Sequence, residues 1–199
     1  MSGVRLERLT GERLRDLLPE LARLRITVFR AFPYLYDGSL DYEERYLRTY
    51  AATADSVVVG AFDGERVVGA STGLPLAAEP EALTRPFTEH GYAVGDVFYF
   101  GESVLLGEYR GGGIGVGFFA EREAHARALG RFRHAAFCAV MRPSDHPRRP
   151  QGYVPLDAFW RKRGFAAVPG LIGQIAWRDL DEAEESVKPM QFWLKDLPA

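Results

Sequence analysis

Gly107-Glu108-Tyr109-Arg110-Gly111-Gly112-Gly113-Ile114-Gly115-Val116-Gly117 follows an apolar run from Asp96 to Leu106 and precedes a helix-like segment ending near Gly130. Strand, glycine-rich turn and helix succeed one another. Such a turn aims several backbone N–H groups at one spot, at the positive end of a helix dipole, which suits a phosphate or pyrophosphate. Glycine admits the unusual backbone angles and lets a ligand approach the main chain. Six glycines between positions 107 and 117 are costly to order, which argues for a use. Two common phosphate loops do not fit. A Walker loop needs Gly-Lys-Ser/Thr, and the stretch has no lysine. The dinucleotide fingerprint needs glycine at its sixth position, where registers starting at Gly111 and Gly113 put Val116 and Phe118.

With 199 residues, the chain is expected to form a single domain, 1–199, with a core large enough to fold alone. A hydrophobic content of 47% and a charged content of 26% are those of an ordinary globular protein. A net charge of −2 supplies no global field for nucleic acid or an anionic membrane. Cys138 is the sole cysteine, so no internal disulfide can form. No apolar run approaches the roughly 20 residues of a membrane span. Met1 to Glu12 lacks the apolar stretch of a signal peptide. The expectation is a cytoplasmic protein.

Val4 to Leu9 alternates like a half-buried strand. Pro19 is positioned to open a helix that carries Leu21, Leu24 and Val28 at helical spacing and ends at Pro33. An aromatic loop, Tyr34 to Leu40, leads to a helix over 41–49 with Asp41 as N-cap and Glu44 completing a capping box. Ser56 to Phe62 and Arg66 to Leu74 form a hairpin across Asp63-Gly64. Ala77 to His90 reads as a loop with a short helix. Then come a strand over 96–106, a helix over 113–129, a strand over 132–141, a proline-rich loop over 142–155 and a short helix over 156–163. Strands over 171–177 and 187–194 close the chain. The order is β-α-α-β-β-β-α-β-α-β-β, with no repeat and no break.

Arg110, Gly113 and Gly115 fill the pattern Arg/Gln-x-x-Gly-x-Gly/Ala. The run from Val104 to Gly115 resembles the acetyl-CoA pyrophosphate loop of the GCN5-related N-acetyltransferases (GNAT family). Phe159-Trp160-Arg161-Lys162-Arg163-Gly164-Phe165 resembles that family's second landmark, a helix ending in Tyr-Glu-Lys-x-Gly-Phe. The resemblance implies an α/β (α+β) fold with a central mixed, mostly antiparallel sheet flanked by helices. It implies acetyl transfer from acetyl-CoA, as co-substrate, to a primary amine of a small molecule or peptide. It also allows a homodimer paired through the final strands. A non-catalytic acyl-CoA sensor of the same fold is the alternative. Transfer of a longer acyl chain, or to a hydroxyl, is a third reading.

The resemblance also assigns residues. Val104, Leu105 and Leu106 would bind the pantetheine arm and polarise the thioester carbonyl. Arg110, Gly111, Gly112, Gly113, Ile114 and Gly115 would hold the pyrophosphate. Trp160 stands where the family has a tyrosine that protonates the leaving sulfur. An indole N–H is not a usable acid, so Trp160 is left to pack against the cofactor. Tyr153, seven residues earlier, is a candidate substitute acid. Glu102 interrupts an apolar strand and is the first candidate for the base, partial burial raising its pKa toward the working range. Tyr99 is the second candidate for the base, although a core aromatic is the favoured reading of it, and Tyr34, Tyr36 and Tyr99 are candidate acceptor contacts, since aromatics suit a cationic or aromatic amine. His90, His125, His134 and His146 show no ligand spacing, so no metal is expected. Cys138 reads as a buried, inert thiol. Arg142, Arg148 and Arg149 make a basic loop that reads as solvated, with a cofactor phosphate as its rival use.

Overall fold

The computed structural model describes residues 3–198. The chain runs β1 (Arg5–Leu9), α1 (Gly11–Phe29), α2 (Leu40–Ala52), β2 (Val57–Asp63), β3 (Arg66–Pro75), α3 (Glu81–Glu89), β4 (Val97–Tyr99), β5 (Ser103–Leu105), α4 (Ile114–Ala128), β6 (His134–Val140), α5 (Asp157–Arg161), β7 (Ala166–Trp177) and β8 (Ser186–Asp196). Eight strands form one sheet in the order β1-β2-β3-β4-β6-β8-β7, with β5 paired to β3. Among the named pairings only β4–β6 is parallel. The mixed, mostly antiparallel sheet is the one expected.

Alternation along the strands feeds two cores on opposite faces. Val58, Phe62, Ala70, Leu74, Val97, Tyr99 and Val104 join the leucines of α1 and α2. Val57, Val59, Ala61, Val68, Phe98 and Phe100 join Phe118 and Phe119 of α4, with Phe159 and Trp160 of α5 against them. The structure is therefore helix–sheet–helix, with the central strands buried on both faces.

Three local expectations are corrected. Pro19 lies inside α1, which starts at Gly11. The buried stripe Leu14, Leu17, Leu18 and Leu21 runs straight through it. Burying each leucine stabilises by about 1.5–3 kcal/mol, which together outweighs the roughly 3 kcal/mol an internal proline costs. The N-cap of α2 is Ser39, without a side-chain cap bond, so the Asp41–Glu44 capping box does not form. Asp41 and Glu43 instead lie in the first turn, where the helix dipole favours them. Finally, the single strand expected over 96–106 is two strands, β4 and β5, and the break between them positions the site.

Candidate active site

Thr72 on β3 faces both Gly101 and Glu102. It accepts from the Gly101 N–H at 3.1 Å and donates to the Glu102 carbonyl at 3.0 Å. Its hydroxyl also accepts from the Glu102 N–H at 3.2 Å. Two residues opposite one is a β-bulge. Position 101 needs glycine, because a Cβ there would collide with the Tyr50 hydroxyl. Upstream of the bulge, β4 pairs with β6, the last contact being Phe100 N–H to the Ala136 carbonyl at 2.7 Å. Downstream, β5 pairs only with β3, and β6 continues against β8. The sheet forks here.

The fork exposes one edge of β5. The Glu102 carbonyl and the Leu106 N–H bond to β3, the latter at 3.0 Å to Val68, and Val104 pairs with Ala70. By antiparallel alternation, Ser103 and Leu105 turn their N–H and C=O to the opposite side, into the fork. The expectation for Val104 and Leu106 is thus corrected. The Val104 main chain pairs with β3 and its side chain is fully buried, the Leu106 N–H bonds to β3 while its carbonyl accepts from the Tyr109 N–H at 3.1 Å, and Ser103 joins Leu105 on the open edge.

The glycine loop stands at the end of that edge. Gly111 and Gly113 have φ of +84° and +86°, and Gly113 caps α4. The N–H groups of Gly111, Gly112 and Gly113 donate to no backbone carbonyl. Arg110 is exposed and donates from Nε and Nη2 to the Leu105 carbonyl at 3.3 and 3.2 Å. Glu108 pairs instead with Arg66, at 3.7 Å. The Tyr109 hydroxyl donates to Asp63 at 2.7 Å and ties the loop to the β2–β3 turn. Free N–H groups, a helix N-terminus and an arginine without a carboxylate partner make this loop a fit for a pyrophosphate.

A cleft of about 1980 Å³ runs from the loop through the fork to the α1–α2 side. Gly111, Gly113, Gly115, Ser103, Leu105, Trp160 and Tyr153 line one part; Tyr34, Tyr36, Tyr99, Glu79 and Glu102 line the other. Gly112 and Ile114 are off the lining, with Ile114 packed on the second core. Trp160 lies against Phe137 and Trp193, each at 5.0 Å between ring centroids. Tyr153 sits edge-on to Phe32 at 4.7 Å with Arg149 over its ring at 5.0 Å. Burial raises the Tyr153 pKa against the lowering effect of Arg149.

On the acceptor side, Tyr34 packs on Phe29 at 4.7 Å, and the Tyr99 hydroxyl lies 3.0 Å from the Cys138 thiol. Burial pushes the Tyr34, Tyr36 and Tyr99 phenols up and the Cys138 thiol up to about 12. Cys138 is half-buried and lines the cleft, rather than lying sealed in the core. Arg142 is not solvated. It forks onto Asp179 at 2.7 and 2.9 Å and donates to the Pro33 and Tyr34 carbonyls, each at 2.8 Å. It therefore fixes the loop that carries Tyr34 and Tyr36.

Glu102 points into a charged cluster that the sequence did not announce. Arg25 of α1 ion-pairs with both Glu43 and Glu102. Its guanidinium lies over the Tyr46 ring at 4.3 Å, and the Tyr46 hydroxyl reaches Glu102 at 3.3 Å. Glu79 is different. It follows a short 3-10 turn at Leu76–Ala78, is half-buried, and has no ion-pair partner among the described residues. Burial, and then the Glu102 charge, raise its pKa to about 7. Glu43, Arg25, Ser103 and Glu79 were all missed in the sequence.

An open sheet forked beside a glycine-rich helix start, with helices on both faces, is the fold of the GCN5-related N-acetyltransferases. Solved structures of that fold superpose over nearly the whole chain. A GNAT-family acetyltransferase from Streptococcus pneumoniae matches at 13% identity and TM-score 0.57, covering 98% of this chain and 100% of that one. Ribosomal-protein-alanine N-acetyltransferase from Brucella melitensis matches at 17% and 0.61, with 97% and 99% covered. Arabidopsis thaliana NAA60, in complex with acetyl-CoA, matches at 13% and 0.63, with 98% and 99% covered. No protein-family model matches the chain, and no curated protein matches it in sequence.

Proposed function

We propose that this protein is an acetyltransferase that moves an acetyl group from acetyl-CoA to a primary amine of a small molecule or peptide by direct attack. The observation that supports the reading is the continuity of main chain without a strand partner, from the open edge at Ser103 and Leu105, whose Leu105 carbonyl is met by Arg110 alone, to the N–H groups of Gly111, Gly112 and Gly113, which among the described residues donate to no backbone carbonyl. An extended amide-bearing arm ending in a pyrophosphate matches that sequence of groups. In this reading Ser103 and Leu105 pair with the arm. Arg110, the glycine N–H groups and the N-terminus of α4 hold the pyrophosphate, and Trp160 packs along the arm. Bound there, acetyl-CoA supplies an activated acyl group. The protein contributes chiefly by holding the amine beside it. In the same reading the cleft-lining Tyr34, Tyr36 and Tyr99 contact the acceptor, and Tyr153, which lines the same cleft, protonates the departing sulfur.

A non-catalytic acyl-CoA sensor is the second reading, and Trp160 in the place of the family's acid is what favours it. Calorimetric titration with acetyl-CoA, followed by CoA release across an amine panel, separates the readings. Micromolar binding with CoA release supports the transferase. Binding without release supports the sensor. No binding to the folded protein overturns both.

A further inference from the structure

We infer that Glu79, rather than Glu102, is the catalytic residue that takes the proton from the attacking amine; this rests on the acetyl-transfer reading above. Most carboxylates of the cleft are already engaged or open to water. Asp37 is held by Arg178 and Arg30, and Asp157 by Arg161. Glu43 and Glu102 share Arg25. Glu184 and Glu185 are exposed at the rim. Among the described residues lining the cleft, Glu79 alone is both shielded from water and without an ion-pair partner.

Its surroundings belong to the fork. The groups that act on it or that it acts on are Glu102 from the bulge, Tyr46 and Tyr50 from α2, Tyr99 from β4 and Cys138 from β6. Arg25 reaches this group through its ion pair with Glu102 and over the Tyr46 ring. The Glu102 charge, fixed by Arg25, adds to burial in making Glu79 a better proton acceptor. Glu102 is thus a positioning residue.

In the step, the amine nitrogen forms the new N–C bond as the C–S bond breaks. The electron pair of that bond leaves with sulfur. The proton lost by nitrogen goes to the Glu79 carboxylate, directly or through one water. Tyr153 gives its proton to sulfur, and solvent then carries the proton from Glu79 to the Tyr153 phenolate, so both side chains are restored and the sum is one proton passed from nitrogen to sulfur.

The test is kcat/KM against pH, from about pH 5 to about pH 9, for wild type, Glu79→Gln, Glu79→Asp and Glu102→Gln. Acetyl-CoA affinity, measured by calorimetry, is the control for folding. Wild type should show an acid limb near pH 7. Glu79→Gln should lose about 100-fold or more in kcat/KM while binding acetyl-CoA normally. Glu79→Asp should keep a displaced limb, and Glu102→Gln should shift the limb to lower pH without removing it. Wild-type activity and an unchanged limb in Glu79→Gln would overturn the inference. So would a wild type that binds acetyl-CoA and acetylates no amine. Failure of the folded wild type to bind acetyl-CoA would instead overturn the acetyl-transfer reading itself.

Discussion

Arg122, on α4, donates to the Glu102 carbonyl at 3.0 Å, so the helix that begins at the glycine loop also braces the strand break. The same guanidinium reaches the Thr72 carbonyl at 3.3 Å, Ser103 Oγ at 2.8 Å and the Phe118 carbonyl at 3.1 Å. It is 1% exposed and lies over the rings of Phe100 and Phe119 at 4.3 and 4.9 Å. Burial lowers its pKa to about 9, which leaves it charged at neutral pH. The Glu102 and Thr72 carbonyls keep their backbone donors across the bulge, and Arg122 supplies each with a second one.

Arg122→Met should therefore leave Ser103 Oγ without a donor and strip the Glu102 and Thr72 carbonyls of their second one, costing about 1–3 kcal/mol in urea unfolding. Arg122→Lys should recover part of that loss, since one ammonium reaches fewer acceptors. An unchanged unfolding midpoint in Arg122→Met would show that the bulge holds without it.

At Gly113 two effects combine. Its φ of +86° disfavours any side chain, although open space surrounds the site. The strain is about 1–2 kcal/mol. Gly113→Asp adds a negative charge beside the free N–H groups, so acetyl-CoA affinity should fall by about 100-fold or more while the fold survives. Gly113→Ala carries the strain alone and should lose far less. Equal losses in the two variants would remove the anion from the explanation.

Around Arg25 the prediction is an asymmetry. Arg25→Met leaves Glu43 and Glu102 buried together without a counter-charge and should cost about 3–5 kcal/mol. Glu102→Gln leaves the Arg25–Glu43 pair intact and should cost clearly less. Thermal and urea unfolding of the two variants measure the difference directly. Similar losses would mean that Arg25 serves one carboxylate only.

The glycine loop was legible because its signal is local. Positive φ and close approach demand glycine, and the helix start follows in the next residues. The local pattern reads Val97 to Leu106 as one strand, since it is apolar on both sides of Gly101-Glu102; a bulge and a splayed sheet there were implied by the family resemblance alone, which did not say at which residue the strand breaks. Arg25 and Arg122 sit on helices where an arginine ordinarily meets water. Only the packing of α1 and α4 against the fork buries them. Glu79 lies in a polar, proline-flanked stretch that reads as loop. Its shielding comes from the tertiary packing around the cleft, so no neighbouring residue announces it. Pro19 misled for the same reason in reverse, a strong local signal overridden by a buried leucine stripe.

Stability against pH should carry the same signature without any acceptor. The folded pKa of Glu79 is about 7 against an ordinary 4.5, so the native state holds that proton more tightly. Its contribution to stability is fully present below about pH 4.5 and is lost as pH rises through about 7. Glu182 works in the opposite sense. The Lys188 ammonium at 2.7 Å, helped by the Asp179 N–H and Ser186, holds its pKa down to about 2. Its contribution is present above about pH 4.5 and is lost as pH falls through about 2. Melting temperatures across this range should thus show two separable slopes. Glu79→Gln should flatten the decline between about pH 4.5 and about pH 7 and leave the acid side alone. Glu182→Gln should flatten only the acid side. A Glu79→Gln protein whose melting temperature declines as steeply as wild type over that interval would mean that Glu79 ionises as it does in the unfolded chain, and the proton-acceptor role would lose its electrostatic support.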